Sequence, residues 1–148
     1  MSRSFLLASF ILLSPAVFAE NDALRSDAAQ NDIKQGEHLY KTYCSTCHGL
    51  TGGMDMRQRI APPIAAVRFH YIGTYPDKAS FVAAITDWVG KQDENKSLMR
   101  GAIRRFNIMP PITVSKKDAE KIAHYIFAGN LDKPAGFDEH VKEMHGSH

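Results

Sequence analysis

The chain has 148 residues, with 18 basic and 16 acidic side chains and a formal net charge of +2 at pH 7. That length is enough for one domain with its own hydrophobic core. The near balance of basic and acidic side chains argues against nucleic acid as a binding partner.

The first 19 residues have the pattern of a secretory signal peptide. Arg3 gives a positive start, residues 5–13 form an apolar run, and small residues precede position 20. The apolar run is shorter than the roughly 20 residues that span a bilayer. The sequence therefore predicts a signal peptide over residues 1–19, a periplasmic mature protein, and no stable membrane span after cleavage.

A helix is predicted from about Ile33, with Asp32 as its cap, after a polar and flexible lead-in over residues 20–31. Gly36 and Tyr40 are four residues apart and therefore share one face of this helix. A glycine inside a helix costs up to about 1 kcal/mol relative to alanine. Close approach of another helix is one reason for its presence.

The helix leads into Cys44-Ser45-Thr46-Cys47-His48, which has the Cys-x-x-Cys-His spacing of c-type haem attachment. Two thiols at this spacing can add to the two vinyl groups of one haem, and the imidazole of His48 can then ligate the iron. A thioredoxin-like redox pair would need a βαβ context, and a zinc site would need a second pair of ligands. The motif therefore predicts one covalently bound haem c, with no cysteine left for a disulfide.

With this motif, and with Met109-Pro110 shortly before the last predicted helix, the chain resembles the class I monohaem c-type cytochromes. The resemblance implies a cytochrome c domain over residues 32–131. Its fold would be all-α, with three to five helices around one covalently bound haem. The resemblance also implies that the first helix crosses the last one at Gly36, Tyr40 and Tyr125.

The loop after the motif contains two prolines, whose carbonyl groups remain good hydrogen-bond acceptors. An axial histidine usually donates its second ring N–H to such an acceptor, which fixes the tautomer and strengthens the ligand. The resemblance assigns this role to Pro62, with Pro63 as the alternative. His70, Tyr71 and Tyr75 are candidates for the wall of the haem pocket.

A second helix is predicted from its cap, Asp77, to Gly90. Phe81, Ile85 and Trp88 recur at helical spacing and give this helix one apolar face. The spacing does not decide whether Trp88 contacts haem or fills the core.

The resemblance assigns the second iron ligand to Met109. A thioether is a soft, weak donor that favours ferrous iron and raises the reduction potential. Met99, within a short helix predicted over residues 97–105, and His70 are the alternative ligands. The other methionines lie too near the motif or in the tail (Met54, Met56 and Met144).

Ser115 and Asp118 resemble a capping box for the last helix, which is predicted to run to about Ala128. A C-terminal tail follows over residues 132–148 and contains His140, Met144, His145 and His148. Clustered His and Met side chains can bind copper or zinc. A solvated, weakly ordered tail is the simpler interpretation.

These features together predict an exported one-electron carrier and not an enzyme, because an iron held on both sides rearranges little on reduction. Its partners would be redox proteins. Several basic residues near Met109 are candidates for steering an acidic partner (Arg100, Arg104, Arg105, Lys116 and Lys117). The alternatives are a haem enzyme or ligand sensor with a labile sixth ligand, and a cytochrome subunit of a larger redox complex.

Overall fold

The structure, a computed structural model, describes residues 16–50 and 58–146. Within these ranges the regular structure is helical, with seven α-helices, short 3-10 turns and no strand. The α-helices are α1 (Ala16–Tyr43), α2 (Ser45–His48), α3 (Ile64–Thr74), α4 (Lys78–Gly90), α5 (Arg100–Phe106), α6 (Lys116–Ala128) and α7 (Phe137–His145). The all-α prediction is confirmed, although the described helices outnumber the three to five that were expected.

Helix α1 begins at Ala16, well before the expected start at Ile33, and Asp32 lies inside the helix and does not cap it. Residues 20–31, expected to be a flexible lead-in, are helical in the structure. They contain three alanines and neither glycine nor proline, so nothing in them stops a helix from extending. The contacts within the chain divide it into two units, Met1–Gln30 and Asn31–His148. The site described below lies in the second unit.

Helices α1 and α6 cross at Gly36. A Cβ atom built on Gly36 would overlap the carbonyl oxygen of Lys121 and lie 2.9 Å from the Cβ atom of Tyr125. The buried rings of Tyr40 and Tyr125 pack beside this contact, with their centroids 5.5 Å apart. The predicted crossing is confirmed, and the close approach explains why a glycine stands inside α1.

Helices α4 and α6 form the main packed pair of the core, and α3 packs against α6. Among the described residues, Phe81 of α4 and Ile122 of α6 are the largest side chains with almost no exposed surface. The core is therefore a layer of helices whose inner faces also form one side of the cleft described below.

The predicted caps of α4 and α6 are confirmed. Asp77 accepts a hydrogen bond from the backbone N–H of Ser80 at 2.9 Å. Ser115 accepts one from the backbone N–H of Asp118 at 3.1 Å. Each cap satisfies one of the N–H groups that the first turn of a helix leaves without an intrahelical partner.

Helices α3 and α7 were not expected, and neither was the single separate turn of α2. Helix α3 was not predicted, because most residues from 64 to 72 are apolar. The sequence therefore lacks the one-sided apolar pattern that indicates an amphipathic helix. Helix α7 lies in the tail that was expected to be weakly ordered. Gly136, at φ 74°, precedes it. Asp138 and Glu139 favour its first turn through the helix dipole.

None of the helices in the described ranges is both long enough and apolar enough to cross a membrane.

Candidate functional site

One cleft brings the Cys-x-x-Cys-His motif together with the segment that precedes α6. Cys44, Cys47 and His48 line it, and so do Asn107 and Met109 from the α5–α6 loop. Apolar side chains supply much of the remaining lining (Ile64, Val67, Ile85, Trp88, Val89, Ile122 and Ile126). Residues more than 60 positions apart in sequence therefore meet around one largely apolar space.

The imidazole of His48 is held by the loop that precedes α3. Its Nδ1 atom lies 2.8 Å from the carbonyl oxygen of Pro62. Because a carbonyl only accepts, Nδ1 carries the proton, and Nε2 is left with its lone pair for a metal. The Pro63 carbonyl is engaged elsewhere, since it accepts from the backbone N–H groups of Ala66 and Val67 at the start of α3.

Burial lowers the pKa of His48, the hydrogen bond to Pro62 opposes this shift, and the charge of Arg59 lowers the pKa further. The ring is therefore neutral at pH 7. A neutral imidazole is the form that ligates iron.

The two thiols line the cleft from the single turn of α2 and the residue before it. Cys44 is half-buried and Cys47 is exposed, and both are free. Burial, followed by the proximity of Cys47, raises the pKa of the Cys44 thiol to about 11. The turn is fixed by backbone hydrogen bonds from Cys44 to Tyr40 and from His48 to Cys44, each 2.9 Å long. The end of α1 thus presents both thiols and the imidazole to the same space.

Both candidate methionine ligands, Met99 and Met109, line the cleft and are half-buried. They differ in their packing. Met99 is the N-cap residue of α5 and packs against the hydrophobic core. Met109 lies on the loop between α5 and α6 and does not belong to that core cluster among the described residues. Among the described residues, Met99 is therefore part of the core packing and Met109 is not.

Of the three residues predicted as candidates for the wall of the haem pocket, only one is in the described lining of the cleft. Tyr71 is buried and lines the cleft. Burial raises the pKa of Tyr71, and hydrogen bonds to the Leu98 backbone and the Ser97 side chain oppose the shift. Tyr75 and His70 are absent from the described lining of this cleft. The ring of Tyr75 packs against that of Tyr71, with the two ring centroids 6.3 Å apart.

A family model described as Cytochrome C oxidase, cbb3-type, subunit III matches residues 31–126, more than half of the chain. The chain belongs to this family. It is a c-type cytochrome with covalently bound haem c, which confirms the predicted class and cofactor. We found no match among curated proteins and none among solved structures.

The residues of the cleft fit haem c. Two thiols, a neutral imidazole nitrogen and a thioether surround an apolar space, which is the donor set of a covalently attached haem with His/Met ligation. When bound, the haem supplies an iron that alternates between the ferrous and ferric states. The cytochrome's side chains determine how that iron is held and how far water is excluded from it.

Two residues of the site were missed by the sequence analysis. Arg59 is buried beside His48, and Asn107 lines the cleft with a positive φ of 65°. A single arginine in a loop carries no periodic or motif signal. The position of Asn107, between a short helix and Met109, gave no indication of an unusual backbone.

The tail of the cytochrome provides no second metal site among the side chains that the structure describes, where no group of three or more His, Cys, Asp or Glu could hold an ion. The side chains of Met144 and His145, and residue His148, lie outside the described part. Met54 and Met56 also lie outside it. Metal binding by the tail stays a prediction.

Proposed function

We propose that this cytochrome is a one-electron carrier in which His48 and Met109 ligate the haem iron. The observation that carries the proposal is the presence of both residues, with both cysteines, in the lining of one cleft. Iron with a protein ligand on each side has no position for a substrate. Little has to move when it gains or loses an electron, which suits a carrier.

Each residue of the site has a distinct role in this proposal. Cys44 and Cys47 tether the cofactor, so it stays bound while partners exchange. The Pro62 carbonyl orients His48 and increases its basicity through the ring N–H. Met109 supplies the soft donor that favours ferrous iron. The apolar lining excludes water from the iron.

Replacing Met109 with alanine tests the proposed ligation. We expect Met109→Ala to lose the far-red absorption band of ferric methionine–iron coordination and to have a lower reduction potential, because the ligand that favours ferrous iron is gone. The matched control is Met99→Ala, which should keep the band and lose stability, since Met99 packs on the core. A Met109→Ala protein that keeps the band would contradict the assignment.

We also propose that the partner presents an acidic surface to α5. The side chains of this helix that line the cleft are Ala102, Ile103 and Phe106, whereas Arg100, Arg104 and Arg105 are exposed. Residues 95–117 include six basic and no acidic side chains. Because a helix with its side chains is about 10 Å across, this basic face lies within one helix diameter of the cleft. Such a field favours encounter with an acidic partner.

Charge reversal on α5 tests this surface, with the ferricyanide anion as the probe. Oxidation of the reduced cytochrome should slow as ionic strength rises. In the double variant Arg100→Glu/Arg104→Glu the rate at low salt should fall several-fold and the salt dependence should weaken. Lys34→Glu/Lys142→Glu changes the net charge equally at exposed positions outside α5 and should have the smaller effect. Equal effects of the two double variants would contradict a local docking face.

Export to the periplasm is proposed from residues 1–19 alone. Mass spectrometry of the protein isolated from its host is expected to find an N-terminus at Glu20. An intact chain beginning at Met1 would contradict cleavage.

A second candidate function is a cytochrome subunit of a larger redox complex. The family description favours it, since it names a subunit of a cbb3-type oxidase. Extraction in mild detergent followed by size-exclusion chromatography distinguishes the two. A free carrier elutes as a small protein, whereas a subunit elutes in a stable complex with other chains.

A further inference from the structure

Arg59 is a buried cation next to the proposed axial histidine. The residue is only 6% exposed, and its charge acts on His48, whose pKa it lowers. Removing a guanidinium from water is unfavourable unless hydrogen bonds replace its hydration. A cation in this position therefore calls for an explanation.

The guanidinium joins two short segments of the site. Its Nη2 atom donates to the carbonyl oxygen of Gly49 at 2.5 Å, and its Nε atom donates to that of Ala61 at 3.3 Å. Gly49 directly follows His48, and Ala61 directly precedes Pro62. The same two segments are thus linked twice, once through Arg59 and once through the His48–Pro62 hydrogen bond.

We propose that Arg59 is a positioning residue that holds the Pro62 carbonyl against His48 and raises the reduction potential of the haem. The inference rests on the proposed ligation by His48. The planar fork of arginine suits two carbonyl groups at a fixed separation. A fixed positive charge near the iron disfavours the ferric state, because that state has one more positive charge than the ferrous state.

Two substitutions distinguish the effect of the Arg59 charge from the effect of its two hydrogen bonds. Arg59→Gln removes the charge, whereas Arg59→Lys keeps the charge but replaces the fork with a single ammonium group. The matched control is Arg68→Gln, because Arg68 also donates to a glycine carbonyl, that of Gly129 at 3.0 Å. Arg68 is absent from the described lining of the cleft. All variants are studied as haem-loaded protein, with the attached haem quantified.

Reduction potential reports on the charge. We expect Arg59→Gln to shift the equilibrium with a redox mediator about threefold to tenfold toward the ferric protein, where tenfold corresponds to about 59 mV for one electron. Arg59→Lys should stay within about twofold of the wild type, and Arg68→Gln should not shift. Equal potentials in Arg59→Gln and the wild type, or an Arg59→Lys potential as low as that of Arg59→Gln, would overturn the electrostatic role.

Exchange of the His48 Nδ1 proton with solvent, followed by NMR in the reduced protein, reports on positioning. It should be faster in both Arg59 variants and unchanged in Arg68→Gln. Unchanged exchange in both Arg59 variants would overturn the positioning role. Failure of the methionine ligation would instead appear as a missing far-red band in the wild type, which leaves the Nδ1 measurement intact.

Discussion

Asn107 holds a backbone conformation that residues other than glycine rarely adopt, two residues before Met109. Its φ of 65° and ψ of 176° lie in a region that costs a side-chain-bearing residue about 1–3 kcal/mol. Strain of this kind persists where the surrounding structure fixes it, and here it turns the chain from the end of α5 into the loop that carries Met109. The position of the proposed sulfur ligand therefore depends on a strained residue.

Relief of this strain is a direct test. We expect Asn107→Gly to raise the free energy of unfolding by about 1 kcal/mol, because the strain removed exceeds the roughly 0.5–1 kcal/mol of extra backbone entropy that glycine loses on folding. Asn107→Ala is the control and should gain no stability, since its Cβ atom keeps the strain. Denaturant titration measures both. A glycine variant less stable than the wild type would mean that the Asn107 side chain contributes more than the strain costs.

At the same scale, the sequence indicated side chains that belong to a motif and missed those that depend on folding. Cys44, Cys47 and His48 follow from their spacing, and the hydrogen bond between His48 and Pro62 is present as expected. Arg59 could not be predicted, because its role comes from two carbonyl groups that only the folded chain brings to it.

At the scale of elements, the crossing of α1 and α6 is the contact most sensitive to volume. We expect Gly36→Ala to lower the free energy of unfolding by about 2–3 kcal/mol, because the added methyl group overlaps the Lys121 carbonyl. The matched control is Gly101→Ala in α5, where the nearest atom outside the local helix backbone, on the Arg104 side chain, is 3.9 Å from the added Cβ. The free energy of unfolding of that variant should rise by up to about 1 kcal/mol. Unchanged stability in Gly36→Ala would contradict the crossing.

The two helices with both a cap and a one-sided apolar pattern were predicted with their ends. Helices α1 and α5 were predicted with other bounds, and α2, α3 and α7 were not predicted as helices. Helices α4 and α6 have Asp77 and Ser115 as caps and end where the sequence indicated. Helix α3 is apolar at most positions because it contributes to the core and to the cleft together, which erases the pattern. The early start of α1 reflects the helix propensity of residues 20–31, a segment whose polarity had suggested irregular structure.

At the scale of the whole molecule, the core and the haem site are parts of one structure. Ile85 of α4 and both Ile122 and Ile126 of α6 belong to the hydrophobic core and also line the cleft. Bound haem would therefore complete the core of this small domain, which has no disulfide among its described residues. On this account the same packing that stabilises the fold also keeps water and small ligands away from the iron.

The most direct test of a closed iron is the addition of carbon monoxide to the reduced, haem-loaded protein at neutral pH, followed by absorption spectroscopy. If His48 and Met109 hold the iron from both sides, the spectrum of the reduced protein should stay unchanged on mixing. Rapid conversion to the spectrum of a carbon monoxide adduct would show an open or labile sixth position. That result would contradict the proposed function as an electron carrier and would favour a haem enzyme or ligand sensor.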